Sequence, residues 1–418
     1  MAGDALQQLG PGLRQAREAR FIGPMRSTHR PEGPLRVAYL TPTLHPGGAE
    51  RQMVILAGAL PSALFEVRFL VLSERGPLAE QAEAVGARVD LLGLRQRDCV
   101  PLRPQCLGAA VRALRRYRVL TADVDIVDAW LVPAMIFAML AQPLVRVPTL
   151  LGGRRSLGDL YRSKPAYRRV AAAAAARRMD AIVANSRTAA AEAITQDRVA
   201  PGRVHVIPNA VLPAVSSPAD RLRYRTGWGF SEGQLVAGCV ANYKAEKGLR
   251  LLLDVAARLR EHVPEFRVVI VGDGPLRGEL EAEIRHRQLE TIVRLHGTEP
   301  DARLIYSAFD LYVQASETEG LPNVILEAAA AGLPIVATAV GGTTEIITAE
   351  KNALLVESGD GAGMARAIGR MAADPLLRAR LGRAARDRAT DFSAERLVQA
   401  TSSLYLRLAG RVPRDKVV

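Results

Sequence analysis

Short apolar runs alternate with stretches of helical period along most of this chain. Leu35-Arg36-Val37-Ala38-Tyr39-Leu40 is the first such run and reads as a buried strand. A Gly47-Gly48 turn follows, then Ala49 to Ala57 with apolar residues at helical spacing. Further strand-like runs fall at 66–72, 88–91, 125–129, 149–151, 181–184 and 204–207, with helix-like segments between them. The alternation pauses over 210–232, where Pro213, Ser216, Ser217, Pro218 and Gly227 gather as breakers. It restarts with strands at 236–240, 266–271, 292–295, 311–314 and 334–337, and with helices at 249–262, 276–288 and 322–331. A helical pattern over 393–408 closes the chain.

Apolar runs without strict alternation, separated by helices, mean βαβ units around parallel sheets covered on both faces. Two such sets predict an α/β protein of two Rossmann-like, doubly wound domains facing a ligand cleft. The boundaries predicted are an extension over 1–34, a first domain over 35–212 and a connection over 213–232. A second domain follows over 233–390, and a terminal helical segment, 391–418, packs back on the first.

Composition narrows this picture. At roughly 150 residues per domain, 418 residues suit two or three domains. Hydrophobic residues at 49% and charged residues at 24% exclude a disordered chain, a collagen-like fibre and a small disulfide scaffold. Cys99, Cys106 and Cys239 fit neither a zinc spacing nor a disulfide framework, which points to a reducing compartment. The charge-free run 129–145 contains Pro133, Gln142 and Pro143 and falls short of a membrane span. It reads as a strand end followed by a buried helix. No apolar segment follows the amino-terminal arginines as in a secretory signal, so a cytoplasmic location is expected. Lys and Arg number 56 against 43 Asp and Glu, a net charge of +13. That excess reads as a solvated surface or as attraction to an anionic substrate or to the inner membrane face. Nucleic acid is not expected as a partner, since no recognised motif or aromatic-basic interleaving accompanies the charge.

The densest chemical signal is Ser316-Glu317-Thr318-Glu319-Gly320-Leu321-Pro322-Asn323-Val324-Ile325-Leu326-Glu327-Ala328. It follows the strand at 311–314; Pro322 suits a helix start and Gly332 a helix stop. Backbone N–H groups at that start, over Leu321 to Val324, can cradle an anion. Glu319 and Glu327 flank the cradle. Carboxylates there would repel phosphate, so they read as acceptors for sugar and ribose hydroxyls. The bland alternative, a solvated loop acid and an exposed helix acid, weakens because the Gly-Pro turn lies between them. Neutralising charge is expected from Lys244 and Lys247 in Ala241-Asn242-Tyr243-Lys244-Ala245-Glu246-Lys247-Gly248, at the carboxyl end of the strand at 236–240. A third loop, Gly272-Asp273-Gly274-Pro275-Leu276-Arg277-Gly278, has the wrong glycine spacing for a dinucleotide fingerprint. It reads as a turn bordering the nucleotide or simply a tight strand-helix turn. In the first half, Gly47 and Gly48 allow an anionic group to approach backbone donors. No Asp-x-Asp pair sits at a strand end, so no metal is expected.

Together these pieces resemble glycosyltransferase family four (group 1), retaining enzymes of the GT-B fold that use sugar nucleotides. The likeness runs from about Leu35 to Leu408. Its marks are the 319–327 segment with Ala331-Gly332-Leu333-Pro334-Ile335-Val336-Ala337-Thr338 and Gly341-Gly342, Gly47-Gly48-Ala49-Glu50-Arg51, Val206-Ile207-Pro208-Asn209 and Lys247-Gly248. The resemblance implies that Glu319 contacts the donor sugar, Glu327 the ribose and Lys247 the diphosphate, with Gly48 near the donor phosphates or the acceptor. Asn242, Lys244, Gly272, Gly320, Leu321, Asn323 and Val324 complete the implied donor site. Many members carry arginine where Asn242 stands, and Lys244 is expected to supply that charge. Many also carry a histidine where Arg154 follows Gly152-Gly153, which makes Arg154 the implied catalytic partner of Glu319 and Lys247; His45 is the nearest histidine. The implied co-substrate is a nucleoside diphosphate sugar, UDP-linked in preference to GDP-linked, with no other cofactor. A glycan or lipid-linked acceptor is expected, in cell-surface polysaccharide or glycolipid synthesis. The basic run Arg154, Arg155, Arg162, Lys164, Arg168, Arg169, Arg177 and Arg178 suggests peripheral contact with anionic membrane or a solubilising helix face. Competing readings are a sugar-nucleotide epimerase, a non-catalytic binder of the same fold, and an NAD oxidoreductase, which lacks its fingerprint here.

Overall fold

The structure, a computed structural model, describes residues 33–94, 107–157, 166–215, 217–299 and 301–411. Cys99, Cys106, Arg162, Lys164 and all but two residues of the predicted extension lie outside these. Two parallel sheets carry the architecture. The first holds β1 (Leu35–Thr43), β2 (Phe65–Glu74), β3 (Arg88–Leu91), β4 (Ile126–Ala129), β5 (Thr149–Arg154), β6 (Ala181–Ala184) and β7 (Val204–Val206). Their order is β3-β2-β1-β4-β5-β6-β7. The second holds β8 (Leu235–Val240), β9 (Phe266–Val271), β10 (Val293–Gly297), β11 (Leu311–Gln314), β12 (Ile335–Thr338) and β13 (Leu354–Val356), in the order β10-β9-β8-β11-β12-β13. Every residue of β4, β6, β11 and β12 is buried, as strands covered on both faces require.

Strand order reverses direction between β1 and β4 in the first sheet and between β8 and β11 in the second. Crevices at such switch points, outside the carboxyl ends of the strands, receive ligands. The Gly47-Gly48 turn follows β1, the lysine loop follows β8, and the Glu319 loop follows β11. Chain order thus delivers all three motifs to the two switch points.

The breaker-rich stretch between the sheets contains a helix, Pro218–Trp228. Ser217 caps its start with Pro218 at the first helical position, and left-handed Gly229 ends it. Its Tyr224 and Trp228 join the core of the second lobe. Fully buried Arg225 donates to Asp310 Oδ2 at 2.6 Å, and that oxygen also accepts the Val236 N–H at 2.8 Å. The pairing ties the helix to the base of β8. β13, three residues long, is too short to announce itself by periodicity.

The last helix, Ala394–Leu408, buries Leu397, Leu404 and Tyr405 in the first lobe's core. Tyr405 donates to Asp128 Oδ2 at 2.7 Å at the buried end of β4. Burial raises the Asp128 carboxyl above its ordinary range; the Tyr405 bond and the nearby Arg155 charge act the other way without cancelling it. Between the ordinary and the raised value the folded chain holds a proton that the unfolded chain has lost. Stability therefore falls as pH rises through that window. Asp128→Asn keeps an acceptor for Tyr405 but removes the titration. The melting-temperature difference between variant and wild type should move in the variant's favour from about pH 4 to pH 7. A pH-independent difference would show that Asp128 does not titrate there.

Among the described residues no helix is long and apolar enough to cross a membrane. The charge-free run at 129–145 forms the end of β4 and the helix Val132–Ala141.

Candidate active site

A cavity of about 450 Å³ lies between the lobes and is lined from both. From the second lobe, the loop after β11 leads into the helix Asn323–Ala330, with Pro322 immediately before it. The first donors to close onto that helix are the N–H groups of Ile325 and Leu326, both on the Pro322 carbonyl, at 3.2 and 3.4 Å. The amides of Asn323 and Val324 precede them, and both residues line the cavity, as do Gly320, Leu321 and Glu327. This is the dipole-positive end of a helix opening on a polar cleft.

Lys247 reaches Glu319 because Gly248 is left-handed, with φ of 61°. A side chain at Gly248 would place Cβ 2.0 Å from the Ala315 carbonyl oxygen, so only glycine lets the lysine loop pack against the loop after β11. Lys247 Nζ then lies 2.7 Å from Glu319 Oε1. Ser316 Oγ donates to the same oxygen at 2.7 Å and Gln314 Nε2 at 3.1 Å. All three bonds fall on Oε1, so the carboxylate is fixed while Oε2 takes part in none of them. Gln314 and Asn185 also line the cavity, with Gln314 Oε1 and Asn185 Oδ1 buried and without a hydrogen-bond partner among the described residues.

Glu327 accepts a 2.8 Å hydrogen bond from Tyr306. Burial raises its carboxyl above the ordinary range, while the Tyr306 bond and the Arg51 charge oppose the shift. Arg51, from the helix Gly48–Ala59 of the first lobe, lines the same cavity. Asn242 and Gly272 border it as well. The loop after β9 holds the Asn242 loop in place, since Tyr243 N–H donates to the Asp273 carbonyl at 2.9 Å.

The lobes touch directly beside the cavity. Asn323 Nδ2 donates to the Gly48 carbonyl at 3.0 Å. Asn209 Nδ2 donates to Asn323 Oδ1 at 2.7 Å, and Arg155 Nη1 to Asn209 Oδ1 at 3.2 Å. The Arg155 guanidinium stacks 3.9 Å above the Trp130 ring, a cation–π contact that holds it at the cavity wall.

Ten of the twelve residues singled out from the sequence line this cavity: Gly48, Asn242, Lys247, Gly272 and Glu319, with Gly320, Leu321, Asn323, Val324 and Glu327. Two do not. Lys244 is exposed beside the cavity, where its charge acts on Glu50. Arg154 is turned into the first lobe, 2.8 Å from Asp197 and 3.1 Å from Glu192, and only 7% exposed. The physical reason is the pleat at the end of β5: successive side chains point to opposite faces, and it is Arg155 that reaches the cleft. The basic run of the first lobe is likewise not one surface. Arg154 is paired internally, Arg155 lines the cavity, and Arg177 donates to the Asp197 carbonyl. His45 pairs with Glu74 at 2.9 Å on the exposed rim. Arg51, Arg155, Asn185 and Asn209 also line the cavity, and sequence pattern alone does not select them. Arg51 and Asn209 do stand inside the family's motifs, which is the one signal that could have found them. Cys239, largely buried, also lines the cavity. Among the described residues no group of three or more His, Cys, Asp or Glu is placed to hold a metal ion.

Two Rossmann-like lobes facing each other across a cleft define the GT-B class. The comparisons with known proteins agree. Residues 46–214 match Glycosyltransferase Family 4, and residues 220–388 match Glycosyl transferases group 1. The chain belongs to the group 1 glycosyltransferases of family four. It is similar to D-inositol 3-phosphate glycosyltransferase of Kribbella flavida, 32% identical over 237 residues, which are 54% of this chain and 56% of that one. It is also similar to the Vi polysaccharide biosynthesis protein VipC/TviE of Salmonella typhi, at 28% identity over 53% of this chain and 39% of that one. The chain thus spans about half the length of the curated relatives it matches. Among solved structures, Anabaena Alr3699/HepE in complex with UDP and glucose superposes with a TM-score of 0.79 at 21% identity, over 88% of this chain and 99% of that one. WaaG, a glycosyltransferase involved in lipopolysaccharide biosynthesis, superposes at 0.70 with 18% identity, over 88% and 99%. These last two likenesses show the shared fold.

Proposed function

We propose that the chain is a retaining glycosyltransferase that moves a sugar from a nucleoside diphosphate sugar to a hydroxyl of a glycan or lipid-linked acceptor. The observation that carries this reading is the Lys247–Glu319 pair standing beside the amides of Asn323 and Val324 in a cavity closed by the first lobe. The diphosphate lies against those amides and Lys247. Glu319, fixed through Oε1, presents its other oxygen to the sugar hydroxyls, and Glu327 accepts from the ribose. As the bond from the anomeric carbon to the diphosphate oxygen breaks, negative charge grows on the diphosphate. Lys247 and the helix amides stabilise that charge in a site held ready for it. The acceptor hydroxyl attacks the same carbon, and its proton passes to the departing phosphate oxygen. Among the described residues lining the cavity there is no histidine, so none of them offers an imidazole relay. Glu319 acts by placing the sugar, not as a nucleophile.

UDP is favoured over GDP as the donor base, in keeping with the UDP-containing HepE structures of the same fold. A role in polysaccharide or glycolipid synthesis accords with the relatives. UDP or a UDP-sugar at about 100 times its Kd should stabilise the chain by about 2.7 kcal/mol, seen as a rise of a few degrees in melting temperature. The screen runs UDP, GDP and ADP with their sugars, followed by nucleotide release with and without an acceptor glycan. Stabilisation by none of them, or binding without acceptor-dependent release, would end the transferase reading; a sugar-nucleotide isomer as product would favour an epimerase.

A further inference from the structure

Beyond the cavity, a second contact joins the lobes. Glu345 sits on the short helix Thr343–Ile346 of the second lobe. Its carboxylate faces the first turn of the first-lobe helix Arg187–Thr195. Oε2 accepts the Arg187 N–H at 2.8 Å, and Oε1 accepts the Thr188 N–H at 3.0 Å and the Thr188 hydroxyl at 3.2 Å. Ser186 Oγ takes the next amide, that of Ala189, at 3.0 Å. The first three N–H groups of this helix are therefore satisfied, two of them by a carboxylate from the opposite lobe. A negative charge on the dipole-positive end of a helix adds a further favourable term.

Glu345 is held rigidly. Arg388 donates Nη2 to its backbone carbonyl at 2.7 Å and Nε to the Ile346 carbonyl at 3.3 Å, and pairs with Asp391 at 2.6 Å. The turn ahead of it, Gly341-Gly342, packs directly on the Glu319 loop. Gly342 N–H donates to the Glu319 carbonyl at 3.2 Å. A Cβ at Gly341 would stand 1.9 Å from that carbonyl oxygen, and one at Gly342 would stand 1.9 Å from the Gly320 oxygen. Only a side-chain-free turn brings the Glu345 helix this close to the loop that holds the sugar-binding carboxylate.

We propose that Glu345 is a positioning residue that locks the two lobes together over the cavity, and that it registers lobe closure directly on the Glu319 loop. Separating the lobes breaks three hydrogen bonds to one carboxylate and returns two helix amides to water. Closing them restores the bonds and presses the first lobe on the backbone that carries Glu319. The inference rests on the transferase reading for its catalytic consequence, but the lock itself is a property of the fold and is tested separately.

The test uses the full chain, with small-angle scattering and amide hydrogen exchange measured in the presence of UDP, and steady-state kinetics with the UDP-sugar and acceptor that turn over. Glu345→Ala should enlarge the radius of gyration and raise exchange at Arg187 and Thr188. It should lower kcat/KM for the acceptor by about 100-fold, with UDP affinity within about twofold because the residues facing the diphosphate lie in the second lobe. Glu345→Gln, which keeps the acceptor oxygen without the charge, should recover about tenfold of that loss. Arg187→Pro is the second probe. Proline is tolerated at the first helical position, and Ser186 already has the extended backbone proline requires, so the Arg187 N–H bond is deleted, along with an exposed side chain, without disturbing the helix start. It should reproduce the scattering change in smaller degree, and it answers the question if Glu345→Ala does not fold. Unchanged scattering in Glu345→Ala and in Arg187→Pro and unchanged exchange at Thr188 in both, with acceptor kcat/KM within about twofold of wild type, overturn the lock. Absence of turnover in wild type with every sugar nucleotide sinks the transferase reading instead, while scattering and exchange still decide the lock.

Discussion

Lys247→Ala should lower kcat by about 10²–10³-fold while the chain stays folded. With Arg51 and Arg155, the lysine is one of the cationic side chains lining the cavity, and it alone among them comes from the second lobe, where the proposed diphosphate cradle lies. Removing one preorganised charge of this kind costs roughly 3–4 kcal/mol of transition-state stabilisation. Its side chain is 23% exposed and its partner Glu319 11%. After truncation Glu319 still accepts from Ser316 and Gln314, so the fold loses about 1–2 kcal/mol at most. Since charge on the diphosphate grows as the bond breaks, kcat should fall further than KM rises. Lys247→Arg, whose planar fork cannot place a point charge in the same spot, should restore only part of the rate. The measurement is steady-state turnover beside a thermal melt. Turnover within tenfold of wild type in a folded Lys247→Ala protein would show that the diphosphate lies elsewhere.

Gly320→Ala should abolish most activity by a different route. A Cβ at Gly320 would stand 2.7 Å from the Arg155 carbonyl oxygen and 3.3 Å from Asn185 Nδ2, both on the opposite lobe. Backbone cannot give way as a flexible side chain can, so the lobes must stand off by a fraction of an ångström to an ångström. A displacement of that size at a reacting centre costs about 100-fold in kcat/KM. The methyl group meets no obstacle from its own lobe among the nearest atoms, so melting temperature should change little. Acceptor turnover should suffer more than UDP affinity, because a side chain at position 320 obstructs the meeting of the lobes. Wild-type kcat/KM in Gly320→Ala would mean that this contact between the lobes is not the one in which transfer occurs.

Both variants bear on how far the sequence could be read. The alternation of apolar runs and helical stretches is a local property, set by side-chain period and burial, and it locates the parallel strands that carry the site. Glycine and proline mark helix ends through their own backbone restrictions, and so the start of the helix at Asn323 is legible from the sequence alone. The same residues hide the helix Pro218–Trp228. There Pro218 opens and Gly229 ends an eleven-residue helix whose apolar side chains are few, and the stretch reads as a connection until Arg225 is seen paired with Asp310. Local pattern cannot weigh a bond made to a residue 85 positions away.

Arg154 and Arg155 show the same limit at a single position. Adjacent arginines are indistinguishable as charges, and a likeness in sequence selects only a neighbourhood. The pleat at the end of β5, together with Asp197 on one side and Trp130 on the other, sends one arginine inward and the other to the cavity. Asn185 and Glu345 stand in none of the quoted motifs, and Asn209 is marked only by its place within one. Each matters because of what the opposite lobe places against it.

By itself the sequence determined the class of fold, the two sheets, and the loop after β11 that opens a helix between a pair of carboxylates, because those follow from side-chain period, burial and backbone restriction over a few residues. Only the tertiary structure decided which arginine faces the cleft, that Lys247 lies on Glu319, and that the lobes meet through Asn209, Asn323, Arg155 and Glu345. Those contacts join segments more than a hundred residues apart in several cases, and their geometry is set by how two separately wound sheets pack, which no local stretch of chain encodes.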